Sequence, residues 1–263
     1  MGSNNTEGIL KIDFLSHFHP DTSIRSLGSA DMQCLPTTFD LLLWNMQKCR
    51  GKAWQTDFLQ LIHGRHLLLL QEAALSAVNL EIFDKHEEFL WTMARSYTRL
   101  ASGRETGVKT GSRCNPLQAK SYRSPSFEPF ARTHKMMLQS SYSISGCAHN
   151  LMVLNLHAIN FSRIGNYKEH LSQMFSAAKI HHGPLILAGD FNTWSGRRYD
   201  HLKQACQELG LREAEIARRS RARHLYRHLD HLFYRGLKLE EVTLVDKVSS
   251  SDHFPIAARF SAI

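Results

Sequence analysis

The sequence predicts a mixed α/β protein, and two observations carry that expectation. Short apolar runs that stop abruptly at a polar residue read as buried strands, and between them lie segments whose apolar residues recur at helical spacing. Their order, strand then helix then strand, is the alternation of an α/β chain. The clearest run is Pro184-Leu-Ile-Leu-Ala-Gly-Asp-Phe-Asn-Thr-Trp194. Its apolar part, Leu185 to Ala188, ends at Gly189 and delivers Asp190 and Asn192, two polar side chains at i and i+2 that point the same way in extended backbone.

Along the chain, residues 1–37 show little period, with a small apolar cluster from Ile9 to Phe18 and a break at Pro20-Asp21, and they read as a partly ordered lead before a single domain spanning 38–263. The first strand is Phe39 to Trp44. Trp54, Phe58, Leu61 and Ile62 place a helix over Ala53 to His63, stopped by Gly64. The strand Leu67 to Leu70 follows at once. Leu80, Phe83, Glu87, Leu90 and Trp91 fit a helix over Leu80 to Ala94. From Tyr97 to Gly146 the chain is rich in Gly, Ser, Thr, Pro and basic residues and reads as short strands on long loops, with Gly107 to Arg113 and Lys135 to Tyr142 the best strands. Leu151 to His157 is a further strand. Tyr167, Leu171, Met174, Phe175, Ala178 and Ile180 mark an amphipathic helix between Asn166 and His182. A second runs from Tyr199 to Leu209 and ends at Gly210, and strands Leu229 to Tyr234, Glu241 to Val245 and Ile256 to Phe260 close the chain.

Several of these strands end or begin on an acid, amide or imidazole. Asn45, Glu72, His157 and the Asp190/Asn192 pair follow apolar runs, Asp230 opens one, and Asp252 and His253 precede the last. A lone histidine such as His157 or His253 would be an ordinary structural residue. The ordered set argues otherwise.

The motifs Trp44-Asn45, Gln71-Glu72, Asn155-Leu-His157, Gly189-Asp-Phe-Asn192, Leu229-Asp230 and Ser251-Asp-His253, in that order, resemble those of the endonuclease/exonuclease/phosphatase superfamily of DNase I-like enzymes. Gly107-Val-Lys-Thr-Gly-Ser-Arg113, Glu128-Pro-Phe130, His157-Ala-Ile-Asn-Phe-Ser162 and Phe233-Tyr-Arg-Gly236 resemble its bacterial YafD-like branch. The resemblance implies a four-layer α/β/β/α sandwich of two mixed sheets flanked by helices, with strand ends converging at one edge. It implies Mg²⁺ or Mn²⁺ held by Glu72, with Asn45 and Asp252 directly or through water, an oxygen-rich donor set that suits these hard ions and suits zinc poorly. It also implies that His253 contacts the phosphate or serves as base, that Asp230 orients it, and that Asp190 and Asn192 align water and phosphoryl oxygens. His157 matches a second histidine of the DNase I-like and sphingomyelinase-like branches. Gln47 stands where several members place an acid, which weakens the case for a second tightly held metal.

Composition bounds the partner. With 43% hydrophobic and 21% charged residues over 263 positions, the chain is an ordinary globular one. Lys and Arg number 32 against 24 Asp and Glu, a net charge of +8 that favours a polyanion. Arg218, Arg219, Arg221, Arg223 and Arg227 crowd just before Asp230 and fit phosphate capture, or equally a solvated face. Five widely spaced cysteines without a Cys-x-x-Cys pair argue against a disulfide framework or a zinc site and fit a reducing cytoplasm. No apolar stretch is long enough to span a bilayer, and the N-terminus lacks the regions of a signal peptide. Gly103, Gly107 and Gly111 lack the Gly-Lys-Ser/Thr that would make them a P-loop. The expectation is a monomeric, Mg²⁺-dependent phosphoesterase cleaving a phosphodiester, with nucleic acid favoured over a phosphorylated lipid or metabolite. A catalytically silent module on the same fold is the remaining class.

Overall fold

Two β-sheets pack face to face and each carries helices on its outer side, so the computed structural model is a four-layer α/β/β/α sandwich. The structure describes residues 15–216 and 229–263. Within them the chain passes through β1 (Leu15–His17), α1 (Pro20–Ser23), β2 (Ile24–Leu27), β3 (Thr38–Asn45), α2 (Trp54–Ile62), β4 (Leu67–Leu75), α3 (Ala77–Asp84), β5 (Leu90–Arg99), β6 (Arg104–Ser112) and β7 (Gln118–Arg123). It continues through β8 (Met136–Tyr142), β9 (Leu151–His157), α4 (Ile164–Ile180), β10 (Leu185–Asp190), α5 (Gly196–Glu208), β11 (Arg212–Glu213), β12 (Asp230–Arg235), β13 (Leu237–Leu244) and β14 (Ile256–Ala262).

The first sheet has the order β1-β5-β6-β4-β3-β14-β13, with β2 also on β5, and the second has the order β11-β12-β10-β9-β8-β7. Each contains one parallel pair, β3 with β4 and β9 with β10, among antiparallel neighbours. Both sheets are therefore mixed. The parallel pairs are joined through α2 and α4, the connection that a parallel pair requires.

Strand periodicity sorts the apolar residues into layers. Leu41, Leu43, Leu67 and Leu69 face the other sheet and meet Val153, Ile186, Ala188 and Leu232 between the layers. Their neighbours Leu42, Trp44, Leu68 and Leu70 face outward and are covered by Trp54, Phe58 and Phe83. On the second sheet Leu154, Leu156, Leu185 and Leu187 are covered by Tyr167, Leu171, Met174 and Leu202. Covering on both faces explains why the central strands read as unbroken apolar runs rather than as alternation.

The helix expected over Leu80 to Ala94 is corrected. Helix α3 ends at Asp84, and Leu90 opens a ten-residue strand. Trp91 donates its indole N–H to the Phe83 carbonyl at 3.0 Å, so the two aromatics meet across a turn rather than along a helix. The strand Trp91-Thr-Met-Ala-Arg-Ser-Tyr-Thr-Arg99 then gains a ladder with β6, interrupted by one register shift between Arg95 and Tyr97. Of the N-terminal lead, β1 and β2 pair with β5, and Leu35 is buried between the sheets.

Candidate active site

Strand register alone brings three of the expected residues together. Asp190 at the end of β10 is the Cα partner of His157 in β9 and of Asp230 in β12, so the three side chains emerge side by side at one edge of the second sheet. Gly189 permits this approach: it has φ +153, and a Cβ there would lie 1.8 Å from the Leu156 carbonyl oxygen.

The first sheet supplies the facing groups. Asn45, at the end of β3, donates from Nδ2 to Asp190 Oδ2 at 2.9 Å, and His157 Nε2 lies 3.3 Å from the same oxygen. His253 Nδ1 lies 2.6 Å from Asp230 Oδ2, again joining the two sheets. Two polar bonds fix the His253 loop to β3: Ser251 Oγ donates to the Asn45 carbonyl at 2.6 Å, and the Trp44 indole donates to the His253 carbonyl at 3.2 Å. Beneath the site, Gln71 Nε2 donates to Asn155 Oδ1 at 2.7 Å, and Asn155 in turn donates to the Lys109 carbonyl. These buried side-chain hydrogen bonds between the layers hold one register of sheet against sheet.

Asn192 has φ +50, an uncommon conformation for a residue with a side chain. Its backbone N–H donates to Asp190 Oδ1 at 3.0 Å and its side chain donates to the Ala158 carbonyl at 2.9 Å. It therefore braces the aspartate and ties the β10 end to the β9 end. Glu72 also has positive φ, +49, where the pairing of β4 with β6 slips between Leu70 and Ala73. That bulge turns the Glu72 side chain out of the strand's alternation. Its Oε1 is 3.6 Å from both Lys48 Nζ and Lys135 Nζ, and Lys135 continues to Glu128 at 3.4 Å. Asp252 is exposed beside His253 at the rim. The structure thus joins Asn45, His157, Asp190 and Asn192 in one network and Asp230 with His253 in a second, while Glu72 sits among lysines. The segment Arg218 to Arg227 lies outside the described residues.

Electrostatics separates the roles. Burial raises the Asp190 carboxyl, the Asp230 charge raises it further, and it reaches about 7. Burial opposes the His253 imidazolium, but the paired Asp230 prevails and the histidine is raised to about 10. His157 is pushed well below its usual range by burial and then by Lys135, so it is neutral. Burial would raise Glu72, but Lys135, Lys48 and His253 together hold it below the usual carboxylate range. Ligand atoms of Asp190, Asp230 and His253 lie within 4.8 Å of one another, and Asp230 Oδ1 is buried without a hydrogen-bond partner. Such an oxygen is a waiting acceptor for a water, a proton or a cation.

Sequence reasoning assigned no role to Lys48, Lys135 or Glu128. Glu128 was visible within the Glu128-Pro-Phe130 motif, and Lys135 as the one charge opening an apolar strand. Lys48 carried no sequence signal. Its turn is unusual, because Gln47, Lys48 and Cys49 all have positive φ. The five cysteines are all free, and among the described residues no helix is long and apolar enough to cross a membrane.

The pattern of the Endonuclease/Exonuclease/phosphatase family matches residues 42–253. The UPF0294 protein of Vibrio parahaemolyticus is 34% identical over 229 residues, covering 84% of this chain and 77% of that relative. Among solved structures, an endonuclease/exonuclease/phosphatase from Beutenbergia cavernae has a TM-score of 0.68 at 14% identity over 86% of this chain and 72% of its own. D. rerio TDP2 complexed with single strand DNA product has a TM-score of 0.55 at 14% identity, over 86% of this chain and 99% of its own. The matched span contains every strand end that carries a site residue, and the chain belongs to the endonuclease/exonuclease/phosphatase family, in the YafD-like branch formed with its UPF0294 relatives.

Proposed function

We propose that this protein is a Mg²⁺-dependent phosphodiesterase acting on nucleic acid. The observation that carries the proposal is the pairing of a protonated His253 with Asp230 directly opposite a buried Asp190 whose pKa is about 7. An imidazolium held to about 10 is a poor base and a good partner for a phosphate oxygen, so His253 neutralises and orients the anion. A carboxylate poised near 7 can accept a proton at neutral pH, so Asp190 takes the proton of the attacking water. Asn45 and the Asn192 backbone N–H fix the Asp190 oxygens while this happens. Neutral His157, on the other side of Asp190 Oδ2, holds the water or the leaving oxygen by hydrogen bonding.

The donor set fits a hard divalent cation. Glu72 is held ionised by ion pairs with Lys48 and Lys135, each at 3.6 Å, and Asn45 at the end of β3 and Asp252 at the rim are the further oxygen donors that would hold the ion. Mg²⁺ or Mn²⁺ bound there would supply charge neutralisation and polarisation of the phosphoryl oxygen. The net charge of +8 supports a polyanionic substrate, and the structural likeness to a protein holding a single strand DNA product agrees with nucleic acid.

The test is hydrolysis across DNA, RNA, phosphoinositides, sphingomyelin, nucleotides and a chromogenic phosphodiester, with Mg²⁺ or with EDTA. Mg²⁺-dependent cleavage of DNA or RNA that disappears in His253→Ala is expected. No cleavage of any ester, or cleavage unchanged by that substitution, would overturn the proposal. Preference for a lipid would retain the chemistry and discard the substrate.

A further inference from the structure

We propose that Phe130 and Phe161 form a stacking platform for an unpaired base close to the scissile phosphate, so that the enzyme takes single-stranded nucleic acid or a frayed end. The proposal rests on the phosphodiesterase reading above and names its substrate more narrowly. Phe130 is 83% exposed and Phe161 62% exposed, and their ring centroids are 5.7 Å apart at 77°. Large apolar rings left together in water mark a contact surface rather than a packing element.

Their position is set by the active site itself. Phe161 lies four residues beyond His157, and Phe130 two residues beyond Glu128. Glu128 Oε1 accepts from the Asn160 backbone N–H at 2.9 Å, while its other oxygen is 3.4 Å from Lys135, the lysine that also meets Glu72. Asn160 Oδ1 accepts from the Phe161 backbone N–H at 2.8 Å and from the Trp194 indole at 3.0 Å. Trp194 is itself two residues beyond Asn192. Arg198 adds two bonds to Ser162, at 2.9 and 3.0 Å. Phe161 is thereby held at φ +48, a conformation that a non-glycine residue adopts only when its surroundings impose it. The loop is rigid and wired to the catalytic groups, while the rings it carries face solvent. That is the arrangement of a preorganised binding surface.

The neighbouring charges choose the partner. Each exposed ring is followed two residues later by an exposed arginine, Arg132 after Phe130 and Arg163 after Phe161. Aromatic faces interleaved with cations along a phosphate-handling edge match a strand whose bases stack while its backbone is neutralised. An acyl chain would instead carry no charge for Arg132 and Arg163 to meet.

The experiment uses a short single-stranded oligonucleotide carrying 2-aminopurine, with Mg²⁺ and a His253→Ala background so that the strand survives. Binding should quench the fluorophore. Phe130→Ala and Phe161→Ala should each remove most of the quench and weaken binding roughly tenfold, within the range for removal of one base–aromatic stack. Phe161→Trp should restore both, and Phe161→Leu, apolar but without a π face, should restore neither. Equal affinity and equal quench in all variants would overturn the platform. So would rescue by leucine together with Phe-dependent binding to anionic phospholipid vesicles, which would make the surface a membrane contact. Turnover of bis(p-nitrophenyl) phosphate by the wild-type protein, recorded in parallel, separates the two levels. Turnover without any effect of the phenylalanines on the oligonucleotide sinks the platform alone, and absence of Mg²⁺-dependent turnover sinks the phosphodiesterase reading.

Discussion

Replacing Asp230 by asparagine removes the charge that keeps His253 protonated. In the native site the carboxylate lies 2.6 Å from His253 Nδ1, and against the opposing effect of burial it raises the histidine from 6.5 to about 10. A shift of that size favours the folded state by about 5 kcal/mol. The contribution is fully present below pH 6.5 and is lost as the pH rises through about 10. The same Asp230 charge adds to burial in raising Asp190 from 3.8 to about 7, which costs stability as the pH rises across that interval. Asp230→Asn therefore removes one favourable and one unfavourable effect, and its net destabilisation should be greatest at the acid end, near pH 3.8, shrink as the Asp190 cost grows toward pH 7, and disappear before pH 10. The imidazole itself gives the cleaner readout. With Asp230 neutral, burial is opposed only by the Asp190 and Asp252 charges, and His253 should titrate well below its native value, seen as the pH-dependent Cε1–H resonance in the metal-free protein. Turnover should fall by about two to four orders of magnitude, as for loss of a group that controls proton placement. A His253 titration that stays near 10 in the variant would refute both the pairing and the division of roles built on it.

Glu72→Gln should abolish the rise in melting temperature caused by Mg²⁺, which at a hundredfold excess over the dissociation constant corresponds to about 2.7 kcal/mol, or roughly 5–10 °C; calorimetric melting with and without Mg²⁺ checks it. Gly189→Ala places a methyl group against the Leu156 carbonyl, where the built Cβ would be at 1.8 Å, and should cost about 3 kcal/mol or more while displacing Asp190. Urea unfolding and turnover of the chromogenic ester would both report it. Asn155→Leu should destabilise by about 1–3 kcal/mol because Gln71 Nε2 loses its 2.7 Å buried acceptor, and adding Gln71→Leu should recover part of that loss in the same unfolding assay. Neutralising Arg218, Arg219 and Arg221 should flatten the salt dependence of oligonucleotide affinity by about 0.7 for each phosphate of a single strand that is no longer neutralised, measured against wild type by fluorescence anisotropy.

The residues that sequence reasoning found share one property: their position follows from a strand. Asp190, Asp230 and His157 end or open apolar runs, and strand register then decides that they are neighbours. What it missed depends on distances between sheets. Lys135 belongs to the second sheet's side and Glu72 to the first, so no local spacing links them, and the bulge at Glu72 that aims its carboxylate leaves no mark in the run Leu-Leu-Leu-Leu-Gln-Glu. The start of β5 mimics a helix because Leu80, Phe83, Glu87, Leu90 and Trp91 satisfy helical spacing although the chain turns back at residues 85–89. β7 is hidden for another reason. It is an edge strand with a single fully buried residue, Ser121, so it lacks the apolar alternation that strand reading relies on.

The charges that face one another in the site also bear on which ester it can hold. Glu72, Glu128, Asp190 and Asp230 face Lys48, Lys135 and His253, while His157 is neutral. With Asp190 ionised, and with the solvent-exposed Asp252 at the rim left aside, this cluster carries one uncompensated negative charge. A phosphodiester brings one more, and a divalent cation at Glu72 cancels both without leaving a buried excess of either sign. A phosphomonoester dianion would exceed that balance by one charge, and in a half-buried site an unmatched charge is expensive. Protonation of Asp190 near pH 7 offers the only internal correction within the cluster, and it would consume the base that the attacking water needs. On the proposed phosphodiesterase reading, this charge balance favours a diester with one bound divalent ion, in keeping with Gln47 in place of an acid that could support a second.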